Sequence, residues 1–354
     1  GTITLTGAGV AAGKLALTTA TINGTADSLV MNVNGAIGTL KAGAILDGSI
    51  TAASMTTLTV LGDLDADVTL TGQGVAAGKL TLGTAAVSGA INDATIDVNG
   101  SIGTLKAKTI LGGFTSATSL TTLTVLGDLD TDIALTGKGV AKGKLTLTTA
   151  AISGAVAGDD ILNIAGAVGT FRAKSFVAGS RLTADSLASL IVSGNFSGDL
   201  TLTGRNVAAN KLTLTTVSIG GTVTGSHFNV NGNVGTFTAK TFADSDLLLG
   251  YTPNNAQDPM AGGVFSPGFK ITTFSVTGLT GSVAPAFANS VVAADTIGTV
   301  TLKSVQSANN GRKFGLLAHT AITGAKVTTP APAFTYNKKL PTPQGIGDFE
   351  VKIV

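Results

Sequence analysis

The sequence predicts an all-β protein: a right-handed parallel β-solenoid (β-helix) with a repeat of about 65 residues that divides into roughly three coils. Three observations predict it. Blocks of sequence return at one constant spacing, apolar and polar residues alternate within short runs, and Gly, Asn and Asp separate the runs.

The recurrence is visible from the first residues. Ile3-Thr4-Leu5-Thr6-Gly7 returns as Val68-Thr69-Leu70-Thr71-Gly72, as Ile133-Ala134-Leu135-Thr136-Gly137 and as Leu200-Thr201-Leu202-Thr203-Gly204. Gly38-Thr39-Leu40-Lys41 has copies beginning at Gly103, Gly169, Gly235 and, more loosely, Gly298. Leu58-Thr59-Val60-Leu61-Gly62-Asp63-Leu64 recurs from Leu123 and, in weaker form, from Leu190 to Phe196. Within each repeat, runs such as Lys144-Leu145-Thr146-Leu147-Thr148 alternate with period two, which places Leu, Ile and Val on one face and Thr, Ser and Lys on the other. No window carries the i, i+3, i+4 spacing of a helix with caps. With coils of roughly 22 residues stacked about 4.8 Å apart, some 16 coils would form a rod about 75 Å long. A β-propeller is disfavoured, because its blades need antiparallel hairpins with aromatic signatures.

Composition agrees. Hydrophobic residues make up 44% of the 354 and charged residues 12%, so there is ample material for a core. Trp and Cys are absent, Tyr occurs twice and Gly 48 times, which suits thin layers of small and β-branched side chains packed on copies of themselves. A net charge of +2 without Lys/Arg clusters among aromatics argues against a nucleic-acid partner. Mean hydropathy is +0.43, yet no apolar run reaches the roughly 18 residues of a membrane span.

The repeat divides the chain into solenoid repeats over 1–242, a loop insertion over 243–270, further coils over 271–329 and a C-terminal cap over 330–354. The insertion holds Tyr251, Pro253, Pro259, Met260, Phe265 and Pro267. It is expected either to seal the solenoid wall or to offer Tyr251, Met260 and Phe265 to a neighbouring molecule. Pro330, Pro332, Pro341 and Pro343, with Lys338-Lys339 among them, would blunt a sheet edge. The N-terminal coil carries no such residues. Ile3, Leu5, Val10, Leu15 and Leu17 are as apolar as their later copies, so this coil is expected to be covered by preceding chain or by another molecule.

Candidate chemistry is sparse. Asp63, Asp65 and Asp67, and again Asp128, Asp130 and Asp132, put alternate carboxylates on one face as weak Ca²⁺ candidates, or else serve as turn formers. Asn32, Asn34, Asp97, Asn99, Asn163, Asn229 and Asn231 hold corresponding places and are expected to stack as ladders. Thr-x-Thr pairs such as Thr57/Thr59 and Thr122/Thr124 are the elements of an ice-binding array, but are expected to fall on different faces. Asp159-Asp160 and Asp244/Asp246 are the acidic groupings outside the Asp turns that a polysaccharide-cleaving enzyme could use. His227 and His319 are expected to be isolated, and no catalytic residue or cofactor is assigned.

The blocks Ile102-Gly103-Thr104-Leu105, Leu123-Thr124-Val125-Leu126-Gly127 and Gly250-Tyr251-Thr252-Pro253, with the ending Ile346 to Val354, resemble the Gly/Thr-rich repeats of large proteins secreted by planctomycetes and related bacteria. More broadly the chain resembles β-helical adhesins and surface-fibre proteins. The resemblance implies export to the cell surface or beyond. The expectation is a non-catalytic structural subunit of an extracellular fibre, sheath or surface layer, joined head to tail with itself through the N-terminal coil. The alternative is a passive adhesin or carbohydrate-binding stalk within a longer secreted chain, with surface glycans as partners.

Overall fold

The structure is a computed structural model that describes residues 1–8, 10, 14–329 and 333–354; Pro330 and Pro332 lie outside the described residues. The chain forms two compact units, Gly1–Ala173 and Lys174–Val354. Each is a stack of parallel β-coils, and the only helical element among the described residues is the 3₁₀ turn Pro259–Ala261. The parallel β-solenoid is therefore the fold.

In the first unit every coil contributes a leading strand, a trailing strand and a short third side. The leading strands stack Met31 on Ile50, Val68, Ile96, Thr115, Ile133 and Leu162. The trailing strands stack Leu40 on Leu58, Ala85, Leu105, Leu123 and Ala150. Ile45, Leu64, Ile91, Ile110, Leu129 and Val156 line the third side. All of these are buried. At about 1.5–3 kcal/mol per fully buried Leu, Ile or Val, the three inward files supply the driving force for stacking.

Leading and trailing strands meet in two ways. In coils such as 29–45 the connection is a single bulged residue. Every third coil instead carries an eight-residue excursion, 72–79 and 137–144, opened by Gly72 (φ +70°) and Gly137 (φ +64°). A Cβ at either position would strike a carbonyl oxygen of the next coil, Asn99 or Ala165. This alternation of connections is what makes the sequence repeat three coils long.

The second unit keeps the coil but fills it with rings. Leu182, Leu200, Phe228, Leu247, Val292, Leu316 and Val351 form the leading file. Phe237 stacks on Phe274 at 5.3 Å and Phe242 on Phe287 at 5.9 Å, with edge contacts between the two pairs. The last coil is covered by antiparallel strands: Phe334–Thr335 on Lys326–Val327, and Gln344–Ile346 on Phe349–Val351.

The insertion is shorter than expected. Asp246–Leu249 is a leading strand, paired with His227–Val230 on one side and with 291–293 on the other, so the departure from the wall spans 250–269. Its antiparallel pair, Tyr251–Pro253 with Gly263–Phe265, folds back onto the wall. There Tyr251 and Met260 are buried with Leu248, Val291, Ala293 and Leu317, and Phe265 packs against them half-buried. This explains Leu247-Leu248-Leu249: the flap buries the outward Leu248, so the strand is apolar on both faces. Tyr251 and Met260 are thus flap anchors rather than exposed contact residues.

Candidate functional site

Two surfaces of the first unit carry the residues singled out by sequence. The first is the edge of coil one. Thr2–Leu5 pairs with Val30–Val33, and Leu15–Ala26 with the strand Leu29–Ile45. Among the described residues neither has a strand on its other edge. Ile3 is 36%, Val10 39% and Leu15 42% exposed, while Leu5 and Leu17 are half-buried. The interior copies of Ile3, Leu5 and Leu17, namely Val68, Leu70 and Leu82, are at most 1% exposed, whereas Leu80, the copy of Leu15, stays 47% exposed. The edge therefore presents unpaired backbone and apolar side chains together.

The second surface is the acidic turn that follows one trailing strand in each repeat. The Asp63 carboxylate accepts a hydrogen bond from the Ala90 N–H (2.8 Å), Asp65 from the Asn92 amide (2.9 Å) and Asp67 from the Thr95 N–H (2.8 Å). One repeat later Asp128 accepts from the Ala155 N–H (2.7 Å) and Asp132 from the Ile161 N–H (2.8 Å). In the third copy Asn195 and Asp199 accept from the Thr222 and His227 N–H groups at 3.0 Å each. These side chains clamp one coil to the next, and an amide oxygen serves as well as a carboxylate. Asp63→Ala should therefore cost about 1 kcal/mol in urea denaturation, and Asp63→Asn a few tenths.

Neither Asp triplet gathers its own carboxylates. Among the described residues, the three whose ligand atoms lie within 4.8 Å of one another are Asp130, Asp159 and Asp160. Asp130 is the counterpart of Asp65, but Ala157 stands where Asn92 does, so no side-chain amide donates to it there. Asp160 is 2% exposed and accepts a hydrogen bond from the Ala157 N–H at 3.0 Å. Burial, then the charges of Asp130, Asp159 and Asp132, push its carboxyl up to about 7. The group can hold a proton near neutrality or offer oxygens to a hard cation. Because the folded state binds that proton more tightly than the unfolded chain, stability should fall as pH rises from about 4 to about 7. Asp160→Asn should flatten that slope and raise the melting temperature at pH 8, measured by thermal denaturation across pH.

The Asn ladders do not form. Equivalent positions lie three coils apart, so Asn32 stacks on Thr51 and Asn229 on Thr201 and Leu248. Asn99 and Asn231 instead donate to the carbonyls of Thr71 and Thr203 at 3.0 Å, pinning the loops that start there. The threonines correct the expectation in the opposite sense. Thr19, Thr39, Thr57, Thr84, Thr104, Thr122, Thr149 and Thr170 form one file through the first unit. The neighbouring outward file carries Lys41, Lys106 and Arg172 among Thr and Ala, which breaks the flat double rank that ice would need.

The histidines are not isolated. His319 Nδ1 lies 3.1 Å from Asp295, whose carboxylate also accepts bonds from Thr320 and the Gly268 N–H. Those bonds, Thr320's foremost, hold Asp295 below the usual carboxylate range. Phe265 stacks on the imidazole at 5.7 Å, so this network fastens the flap. His227 lies 3.6 Å from Asp246 in a pocket of about 160 Å³ that Asp244 and Arg312 also line. Burial raises the Asp246 carboxyl despite the imidazole. The volume falls below the roughly 300 Å³ at which ligand pockets begin.

Fold and surface together define a parallel β-solenoid repeat protein. Comparison with protein families, curated proteins and solved structures finds no match to this chain.

Proposed function

We propose that this chain is a non-catalytic structural module of an extracellular fibre, sheath or surface layer, continued end to end through its first coil. The observation that supports this reading is the edge formed by Thr2–Leu5 and Leu15–Ala26. Its hydrogen-bonding groups lie beside Ile3, Leu5 and Leu17, which are exposed or half-buried here and whose interior copies Val68, Leu70 and Leu82 are buried. A further coil of the same geometry would pair with that backbone and bury those side chains, as each interior coil does for the one before it. Preceding chain or a second copy could supply it. A second copy is the occupant in this reading, so the purified chain should form end-joined filaments in negative-stain electron microscopy. Ile3→Lys/Leu17→Lys should abolish them, because the charges would be desolvated in the joint. Monodisperse short particles at high protein concentration would overturn the reading.

A further inference from the structure

The charges of the first unit are sorted. Every acidic residue of this unit lies on a leading strand or in the turn that precedes one, whereas most of its lysines ride on the excursions that follow leading strands. The excursions stand three coils apart, about 14 Å, with grooves between them. The groove between 72–79 and 137–144 has a volume of about 400 Å³ and is lined by Lys79, Lys138 and Lys144 with Val75, Val140 and Leu145. No acidic residue lines it, and none of the three lysines has an ion-pair partner among the described residues. A second groove of about 640 Å³ lies beside it, with Lys14, Lys79, Val10 and Leu80 in its lining.

The acidic turns carry the complement. Leu61 and Leu126, 58% and 56% exposed, are the most exposed leucines of the unit. Each stands two residues before an exposed carboxylate, Asp63 or Asp128. These leucine-and-aspartate knobs are also three coils apart, because they belong to the same repeat as the excursions. A row of knobs and a row of grooves with one pitch, opposite charge and apolar floors match each other over successive repeats.

We propose that a second copy of this chain packs laterally against the first, seating its 61–65 and 126–130 turns in the grooves between the excursions. Equal pitch singles out this occupant. A foreign polyanion would satisfy the lysines but has no reason to share the three-coil spacing or to bring leucines to Val75, Val140 and Leu145. The lateral contact does not use the backbone edge of the first coil, so it stands or falls separately from end-to-end joining.

Sedimentation of the full chain over a range of concentrations, in about 20 mM and about 1 M NaCl, tests it. Self-association is expected at low salt, weakened at least about tenfold at high salt. Lys79→Glu/Lys138→Glu/Lys144→Glu should weaken it at least as much, and so should Leu61→Ser/Leu126→Ser. Asp63→Asn/Asp128→Asn keeps the inter-coil acceptors and should also weaken it. Ile3→Lys/Leu17→Lys should leave it intact. If the glutamate variant fails to fold, as circular dichroism would show, Lys138→Gln/Lys144→Gln on the exposed excursion takes its place. Association indifferent to both groove and turn variants would overturn the proposal. So would a chain that stays monomeric at low salt, including one that binds an anionic polysaccharide through these lysines without self-associating.

Discussion

Replacing Phe287 by alanine is expected to destabilise the protein by about 3–5 kcal/mol, the range for deleting a buried aromatic ring. Phe287 is fully buried and stands where the aromatic files meet. It contacts Phe242 at 5.9 Å, Phe314 and Phe349 at 6.0 Å and Phe274 at 6.1 Å. A coil cannot collapse to fill the gap, because its backbone is held by parallel pairing on both sides. Phe287→Leu should cost much less, since it keeps most of the volume. Urea denaturation followed by circular dichroism measures both. A loss below about 1 kcal/mol for the alanine variant would show that the rings are not the framework of the second unit.

Gly48→Val is the second substitution with a large expected effect, and it acts through the backbone. Gly48 has φ +109°, in the region that side chains avoid, and a Cβ there would be driven into the carbonyl of Leu29 on the adjacent coil. Neither neighbour can yield, since Leu29 pairs directly with Gly48 and donates its own N–H to the Asp47 carbonyl at 3.0 Å. The expected loss exceeds about 3 kcal/mol, combining strain with a broken junction between two coils. Gly48→Ala should follow in the same direction with a smaller loss. Wild-type stability in both variants would overturn the assignment of this turn.

The solenoid was legible in the chain because its determinants are local and repeated. Alternation shows which side chains face inward, and recurrence shows that each coil rests on a near-copy of itself. Neither signal sees across coils. The threonines looked scattered because their file steps once per coil, Thr39 to Thr57 to Thr84, while the eye follows the repeat, which steps once every three. The Asn positions looked stacked for the same reason, although Thr and Ser lie between them. The insertion was drawn too wide because a strand buried on both faces shows no alternation. The Asp turns were read as turn formers or weak ion sites, and only the partners Ala90, Asn92 and Thr95 show the carboxylates bridging to the next coil.

By itself the sequence determined the strand content, the repeat, the inward files and the apolar character of Ile3, Val10 and Leu15, since each depends on residue type and short-range periodicity. Tertiary structure alone decided which side chains meet. Asp130, Asp159 and Asp160 converge because Asp159 and Asp160 fall in the turn one coil further on, opposite Asp130. Tyr251 and Met260 turn inward because the flap folds back over Leu248. In this stack of coils, neighbours along the axis, such as Thr39 and Thr57 or Val68 and Ile96, lie far apart in the chain. Their identities are set by the lengths of the turns and excursions between them, and that count is settled only when the chain closes each coil on the one before.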